Sequence, residues 1–257
     1  MNVFISTVGV HLKNTLARPM FQVVLVVQPF VVATTTYMVY RDAGVDNLAA
    51  FVVLGGGLSG IWSALTFSSA GDINRERYYG TLNPMLASPT SLPLIFSAKI
   101  TANAWLSLLA LAISLVYSRI LLGVTFGVPH GLAFFGSLAA FLFSASTFAL
   151  CLSTTFLLSR STAIMQNFLE YPLLLLGGMA FPVSILPQWV QALSAILPMR
   201  WGSEALRLAL DSAALGPPFW EALGWTMLTG VVYCALALFL FGRIEYCVRR
   251  EATLELV

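Results

Sequence analysis

The chain has 257 residues, of which 13 are Lys or Arg and 11 are Asp or Glu, so charged residues make up 9%, against about 25% in soluble domains. With 58% hydrophobic residues and a mean hydropathy of +0.86, the composition excludes a soluble globular protein and a disordered chain, and points to an integral membrane protein. A net charge of +2, scattered without a basic run, excludes a nucleic-acid partner.

The N-terminus begins amphipathic. Phe4, Val8, Leu12 and Leu16 recur at helical spacing with His11, Lys13 and Asn14 off that face, which predicts a helix over 1–18 lying along the inner membrane surface. No small-residue cleavage site follows a short apolar core, so the segment does not read as a removable signal peptide. Uncharged apolar stretches long enough to cross a bilayer, about 20 residues, then occur at 19–40, 47–71, 100–118 and 222–242. Residues 120–159 are also uncharged but are broken by Gly127, Pro129, His130 and Gly131, which leaves a span over 132–158. A further apolar run over 162–180 reads as the fifth span and holds one charge, Glu170.

After it, Pro182, Pro187 and Pro198 cut the chain into pieces too short to span. Two short helices are predicted there, about 187–196 and 199–211. Irregular backbone at membrane depth is tolerated only where protein or water satisfies it, so 181–211 reads as a re-entrant or interfacial element covered by other helices. Six crossings put both termini on one side. With the N-terminus cytoplasmic, Lys13, Arg18, Arg75, Arg77, Lys99, Arg160, Arg243, Arg249 and Arg250 lie inside, against Arg41, Arg119, Arg200 and Arg207 outside. The nine-to-four split obeys the positive-inside rule. The expected fold is therefore an all-α membrane protein, one domain over 1–257 with six transmembrane helices.

The most informative soluble stretch is 71–99. Asp72 reads as an N-cap, Arg75, Glu76 and Arg77 as a charged and exposed turn, and Gly80 as a C-terminal stop. A second short helix is predicted from Asn83 and Pro84, ending before Pro89. Tyr78 and Tyr79 sit beside these charges, either to meet a protein partner or to anchor at lipid headgroups.

These residues resemble a known family. Glu76-Arg77-Tyr78-Tyr79-Gly80-Thr81-Leu82, followed by Met85-Leu86-Ala87-Ser88-Pro89 and Lys99, is similar to the coupling-helix segment of type-2 ABC export permeases. Gly177-Gly178, Phe181-Pro182-Val183, Leu186-Pro187, Trp189, Leu197-Pro198 and Glu204-Ala205-Leu206-Arg207 resemble that family's extracellular element between spans five and six. Asn83-Pro84 departs from the acidic residue that many relatives carry. The resemblance implies a cytoplasmic coupling helix within 72–89, with Asp72, Arg75, Glu76, Arg77, Tyr78, Tyr79 and Gly80 meeting an ATPase. It implies an outer gate element at Phe181, Pro182, Pro187, Trp189, Pro198, Glu204 and Arg207. It also implies a second permease copy, two separate ABC ATPase subunits that bind the ATP and Mg, and a place in the plasma membrane, the inner membrane of a bacterium.

The division of labour is visible in the residues themselves. A phosphate-binding P-loop needs Gly-x-x-x-x-Gly-Lys, and the only lysines are Lys13 and Lys99, which follow Leu12 and Ala98. No catalytic, cofactor or metal set is expected in this chain: His11 and His130 fall on opposite faces of the membrane. Cys151, Cys234 and Cys247 read as small buried hydrophobes rather than a disulfide framework.

Gly55, Gly56, Gly57 and Gly60 predict close helix packing in span two. Gln28-Pro29 predicts a kink in span one, with Gln28 a candidate for lining a cavity. Glu170, an acid inside a span, needs a compensating partner: either Asn167 or another polar neighbour, or a cationic or hydroxyl-rich substrate in the cavity. Trp189, Trp201, Trp220 and Trp225 gather at the outer face as an interfacial belt. The function expected is outward, ATP-driven movement of a hydrophobic or amphipathic compound such as a drug, antibiotic, lipid or lipid-linked saccharide. The alternative is a non-transporting membrane partner of an ABC ATPase with a sensing or assembly role, and a passive channel is disfavoured because no charged ring or filter motif is present.

Overall fold

The computed structural model describes residues 3–42, 48–81, 84–85, 88, 90–158, 162–211 and 215–251. The described secondary structure is helical throughout: α1 (Val3–Leu16), α2 (Pro19–Tyr40), α3 (Leu48–Tyr78), α4 (Leu92–Ile120), α5 (Gly131–Leu158), α6 (Thr162–Leu176), a 3-10 turn (Val183–Ile185), α7 (Gln188–Ser194), α8 (Pro198–Ala209) and α9 (Pro217–Glu251). Five of these, α2, α3, α4, α5 and α9, are long and apolar enough to cross a membrane.

The centre of the bundle is α3. Its apolar stretch is 83% buried within the molecule, against 22% for α2 and 17% for α9, so α3 is walled by protein while α2 and α9 present their sides to lipid. It packs on α2, α4, α5 and α6, while α8 wedges between α5 and α9. The glycines of α3 make this possible, as their spacing predicts. A Cβ at Gly56 would fall 2.8 Å from the Pro29 carbonyl oxygen and 2.9 Å from Ala33 Cβ, and one at Gly60 would fall 2.7 Å from Pro29 Cγ. The buried Pro29 of α2, whose ring removes one backbone donor, is seated in this glycine surface. On the other side of α3, the fully buried Trp62 meets Phe148 of α5 at 5.9 Å between ring centroids.

Three boundaries differ from the sequence expectation. The helix carrying the second span does not restart at Asp72: α3 runs unbroken to Tyr78 over 31 residues. That is a rise of about 46 Å where about 30 Å of hydrocarbon is to be crossed, so its charged end stands clear of the apolar slab. The third span begins at Leu92, with Pro in its first turn, which takes Lys99 out of the loop and into helix. The fifth expected span, 162–180, is helical only to Leu176 over 15 residues, about 22 Å. Gly178 at φ +63° stops it in a left-handed C-cap, so α6 alone is too short to cross.

The two short helices expected after it are present as α7 and α8. Asn83 and Pro89 lie outside the described residues, as does Arg160; of the second short helix expected there, Pro84 and Met85 are described and are helical. Cys151 and Cys234 are free and half-buried, more exposed than the buried hydrophobes expected.

Candidate functional site

Three places hold the residues singled out above, and the C-terminal end of α3 is the most fully built. Asp72 is buried, with its side chain 3% exposed, and is held by side chains from outside α3 as well as within it. Its Oδ2 lies 3.0 Å from His11 Nε2, and its Oδ1 lies 2.7 Å from Arg18 Nη1 and 3.5 Å from Arg75 Nη2. His11 Nε2 is also 3.1 Å from Asn103 Oδ1 and 3.2 Å from Thr15 Oγ1. Two acceptors facing one ring nitrogen assign the proton to that nitrogen. Asp72 is thus no exposed cap; it ties α3 to α1 and to the Arg18 junction between α1 and α2. Likewise His11, expected on the outward face of α1, is the residue that α1 buries most with Thr15.

One turn on, Glu76 Oε1 accepts from Lys99 Nζ at 2.7 Å and the Thr81 hydroxyl donates to the other carboxylate oxygen, which ties α3 to α4. Arg77 Nη2 donates to the Leu157 carbonyl at 2.5 Å, one of the last carbonyls of α5, which have no partner within their helix. Glu76 and Arg77, expected as exposed charges, are therefore structural links. A 3.6-residue period explains it: Asp72, Arg75 and Glu76 share one face, turned to α1 and α4.

Helix α3 then ends in a Schellman motif, with Thr81 N–H to Glu76 C=O at 2.9 Å and Gly80 N–H to Arg77 C=O at 3.0 Å. Gly80 sits at φ +66°, the left-handed conformation that favours glycine, as its role of stop requires. What this end presents outward is Tyr78 and Tyr79, 85% and 68% exposed, packed edge to face at 5.3 Å.

In the second half of α6, Glu170 accepts a hydrogen bond from Ser63 Oγ of α3 at 2.7 Å. The partner is thus a neighbouring helix and not Asn167, which is exposed. Gln166 of the same helix is buried and Gln28 is half-buried on α2; the two candidate cavity residues, Gln28 and Glu170, sit on different helices, each packed against α3. The face of α6 turned away from α3 carries Ile164, Phe168, Tyr171 and Leu175, all exposed.

The segment 181–211 is stitched to the end of α6. Four consecutive carbonyls, from the last residue of the helix onward, are taken by side chains of α7 and α8: Leu176 by Ser194 at 2.5 Å, Gly177 by Ser203 at 3.0 Å, and Gly178 and Met179 by Arg207 Nη2 at 2.5 and 3.0 Å. Arg207 also lies over the Phe51 ring at 5.1 Å.

Phe181 packs against Tyr40 at 6.1 Å. Pro198 is buried and opens α8, Pro187 precedes α7, and Pro182 leads into the 3-10 turn. Trp189 and Glu204 are exposed. Of the expected tryptophan belt, Trp189, Trp220 and Trp225 stand exposed, and Trp201 stacks on Trp225 at 5.8 Å. Among the described residues no group of three or more His, Cys, Asp or Glu is placed to hold a metal ion.

The residues missed by the sequence reading are His11 and Arg18, which face Asp72, Lys99 as a partner inside α4, and Ser63. A comparison with protein families matches residues 4–210 to the model described as ABC-2 type transporter. A comparison with curated proteins found no match.

Proposed function

Because the chain belongs to the ABC-2 type transporter family, and so is the multi-pass membrane subunit of an ABC transporter, we propose that it moves a hydrophobic or amphipathic compound outward as one half of a homodimer bound to two ABC ATPase subunits. Family members work with such ATPases and are not themselves catalytic. The observation that carries this reading is the end of α3. The most buried helix of the bundle terminates in two exposed tyrosines, while the charges just before them bind α1, α4 and α5. A push on Tyr78 and Tyr79 is therefore delivered to three other helices at once, as a lever driven by nucleotide-dependent closure of the ATPases requires.

The topology that goes with this has six crossings, cytoplasmic termini and the plasma membrane as its site. Helix α6 makes the fifth crossing jointly with the outer element 181–211, which folds back and satisfies the carbonyls that α6 leaves open. Its exposed Ile164, Phe168 and Tyr171 stripe supports the second copy, because the exposed Asn167 beside it is poorly served by lipid and better served by a polar cavity between protomers. Purification of the chain with its ATPase and reconstitution in liposomes tests the whole reading. ATP-dependent accumulation of an amphipathic probe, with a native mass of two permeases and two ATPases, is expected. A stable, active complex with one permease overturns the dimer, and hydrolysis without transport under any probe favours a sensing or assembly partner.

A further inference from the structure

The cations at the cytoplasmic end of α3 outnumber the carboxylates. Arg18 takes Asp72 Oδ1 at 2.7 Å and Lys99 takes Glu76 at 2.7 Å, whereas Arg75 has a 3.5 Å contact to the same Asp72 oxygen that Arg18 already holds. Arg75 is half-buried and lines a recess of about 300 Å³ between α1, α3 and α4, together with Thr7, Val10, Asn14, Glu76 and Lys99. The two cations in that wall against the single Glu76 carboxylate leave one positive charge in excess.

The rim has the opposite character. Val3 and Val10 of α1 are exposed, and at helical spacing they share the face of Thr7 and Asn14 that lines the recess, on a helix that packs against membrane-crossing neighbours. A surplus guanidinium in the wall of a recess and exposed aliphatic side chains on the adjoining face of α1 together match one kind of ligand, a charged head on an apolar tail.

We propose that this recess binds a phospholipid of the adjoining leaflet through its phosphate, with Arg75 as the anchoring cation and the Asn14 amide as a second donor. The acyl chains run along Val10 and Val3. Arginine suits the role because its planar fork matches two phosphate oxygens at once. The Glu76 carboxylate stays on Lys99 and faces the recess, so the excess is one charge and not two. An anionic lipid is preferred over a zwitterionic one, whose head would bring a further cation to a site that already has a surplus. A bound headgroup would pin α1 against α3, so the lipid becomes part of the packing at the base of the lever. The site does not depend on what the transporter carries, and its test reads binding rather than transport.

Native mass spectrometry of the full chain in detergent, titrated with phosphatidylglycerol, phosphatidylcholine or inorganic phosphate, decides it. A retained phosphatidylglycerol adduct, bound more tightly than phosphatidylcholine and not displaced by equimolar inorganic phosphate, is expected. Arg75→Gln should weaken it about fivefold, the worth of one cation near an anionic headgroup, and Arg75→Lys should recover most of that. Asn14→Ala, which leaves every ion pair in place, should also weaken it and serves if Arg75→Gln does not fold. Equal affinity for the two lipids, or unchanged binding in Arg75→Gln and Asn14→Ala, overturns the proposal. Displacement by inorganic phosphate alone makes the ligand a soluble phosphate compound and overturns the lipid.

Discussion

Replacing Asp72 by Asn keeps the size of the side chain and removes the one charge on which His11, Arg18 and Arg75 converge. Removing one member of a buried ion pair costs about 3–5 kcal/mol, because the partner is left as an uncompensated charge. Here the lower end applies. The carboxylate is 3% exposed, but the side chains of Arg18 and Arg75 are 19% and 28% exposed and can turn toward water or headgroups. About 3 kcal/mol in a chain of this size lowers Tm by about 6–12 °C.

A thermal melt of the purified chain in detergent measures the shift, and limited proteolysis reports whether α1 has come loose from α3 and α4. Arg18→Gln combined with Asp72→Asn should recover part of the loss, since it removes the stranded cation, giving a coupling of about 1 kcal/mol or more. Asp72→Asn melting within about 1 °C of wild type, or strict additivity of the two changes, would refute the view that this cluster holds α1 to the bundle.

Gly56→Val should destabilise by about 1–3 kcal/mol through overpacking, because the added atoms meet the Pro29 carbonyl and Ala33 at 2.8 and 2.9 Å. Gly71→Ala, where nothing lies within 4 Å, should be neutral in the same melt. Glu170→Gln keeps the hydrogen bond from Ser63 but removes the charge. If Glu170 faces the cavity, this change lowers export of cationic compounds while sparing neutral ones, whereas equal export of both leaves it a packing residue, as counterflow assays in liposomes will read.

The positions of the long helices were legible because lipid imposes length and apolarity on them: the expected start and end of α2 at 19 and 40 coincide with Pro19–Tyr40. Partner choice was harder to see. The outward reading of His11 came from the apolar spacing of Phe4, Val8, Leu12 and Leu16, yet His11, Thr15 and Arg18 form a second, polar stripe at intervals of four and three. On a helix beside a membrane bundle, that stripe was the available sign of a buried polar contact.

From sequence alone Asp72 reads as a cap, because aspartate favours helix starts. Its real partners are on α1 and the junction after it, more than fifty residues away in sequence, and no local rule reveals them. The stop at Gly178 was present in the Gly177-Gly178 pair, but apolar composition runs on to Ala180 and concealed the shortness of α6. Ser63 carries no signal at all, since a serine inside an apolar helix ordinarily bonds back to its own backbone, as Ser59 does to Gly55 at 2.6 Å.

The exposed tip of α3 as the receiver of the ATPase stroke is tested most directly by Tyr78→Ala with Tyr79→Ala in the complex with its ATPase, reconstituted in liposomes. Both side chains are exposed and the ion pairs behind them are untouched, so expression and Tm should hold at wild-type values. ATP hydrolysis should continue without driving transport, or the ATPase should dissociate during purification. Transport at the wild-type rate per ATP hydrolysed in that double variant would contradict the account.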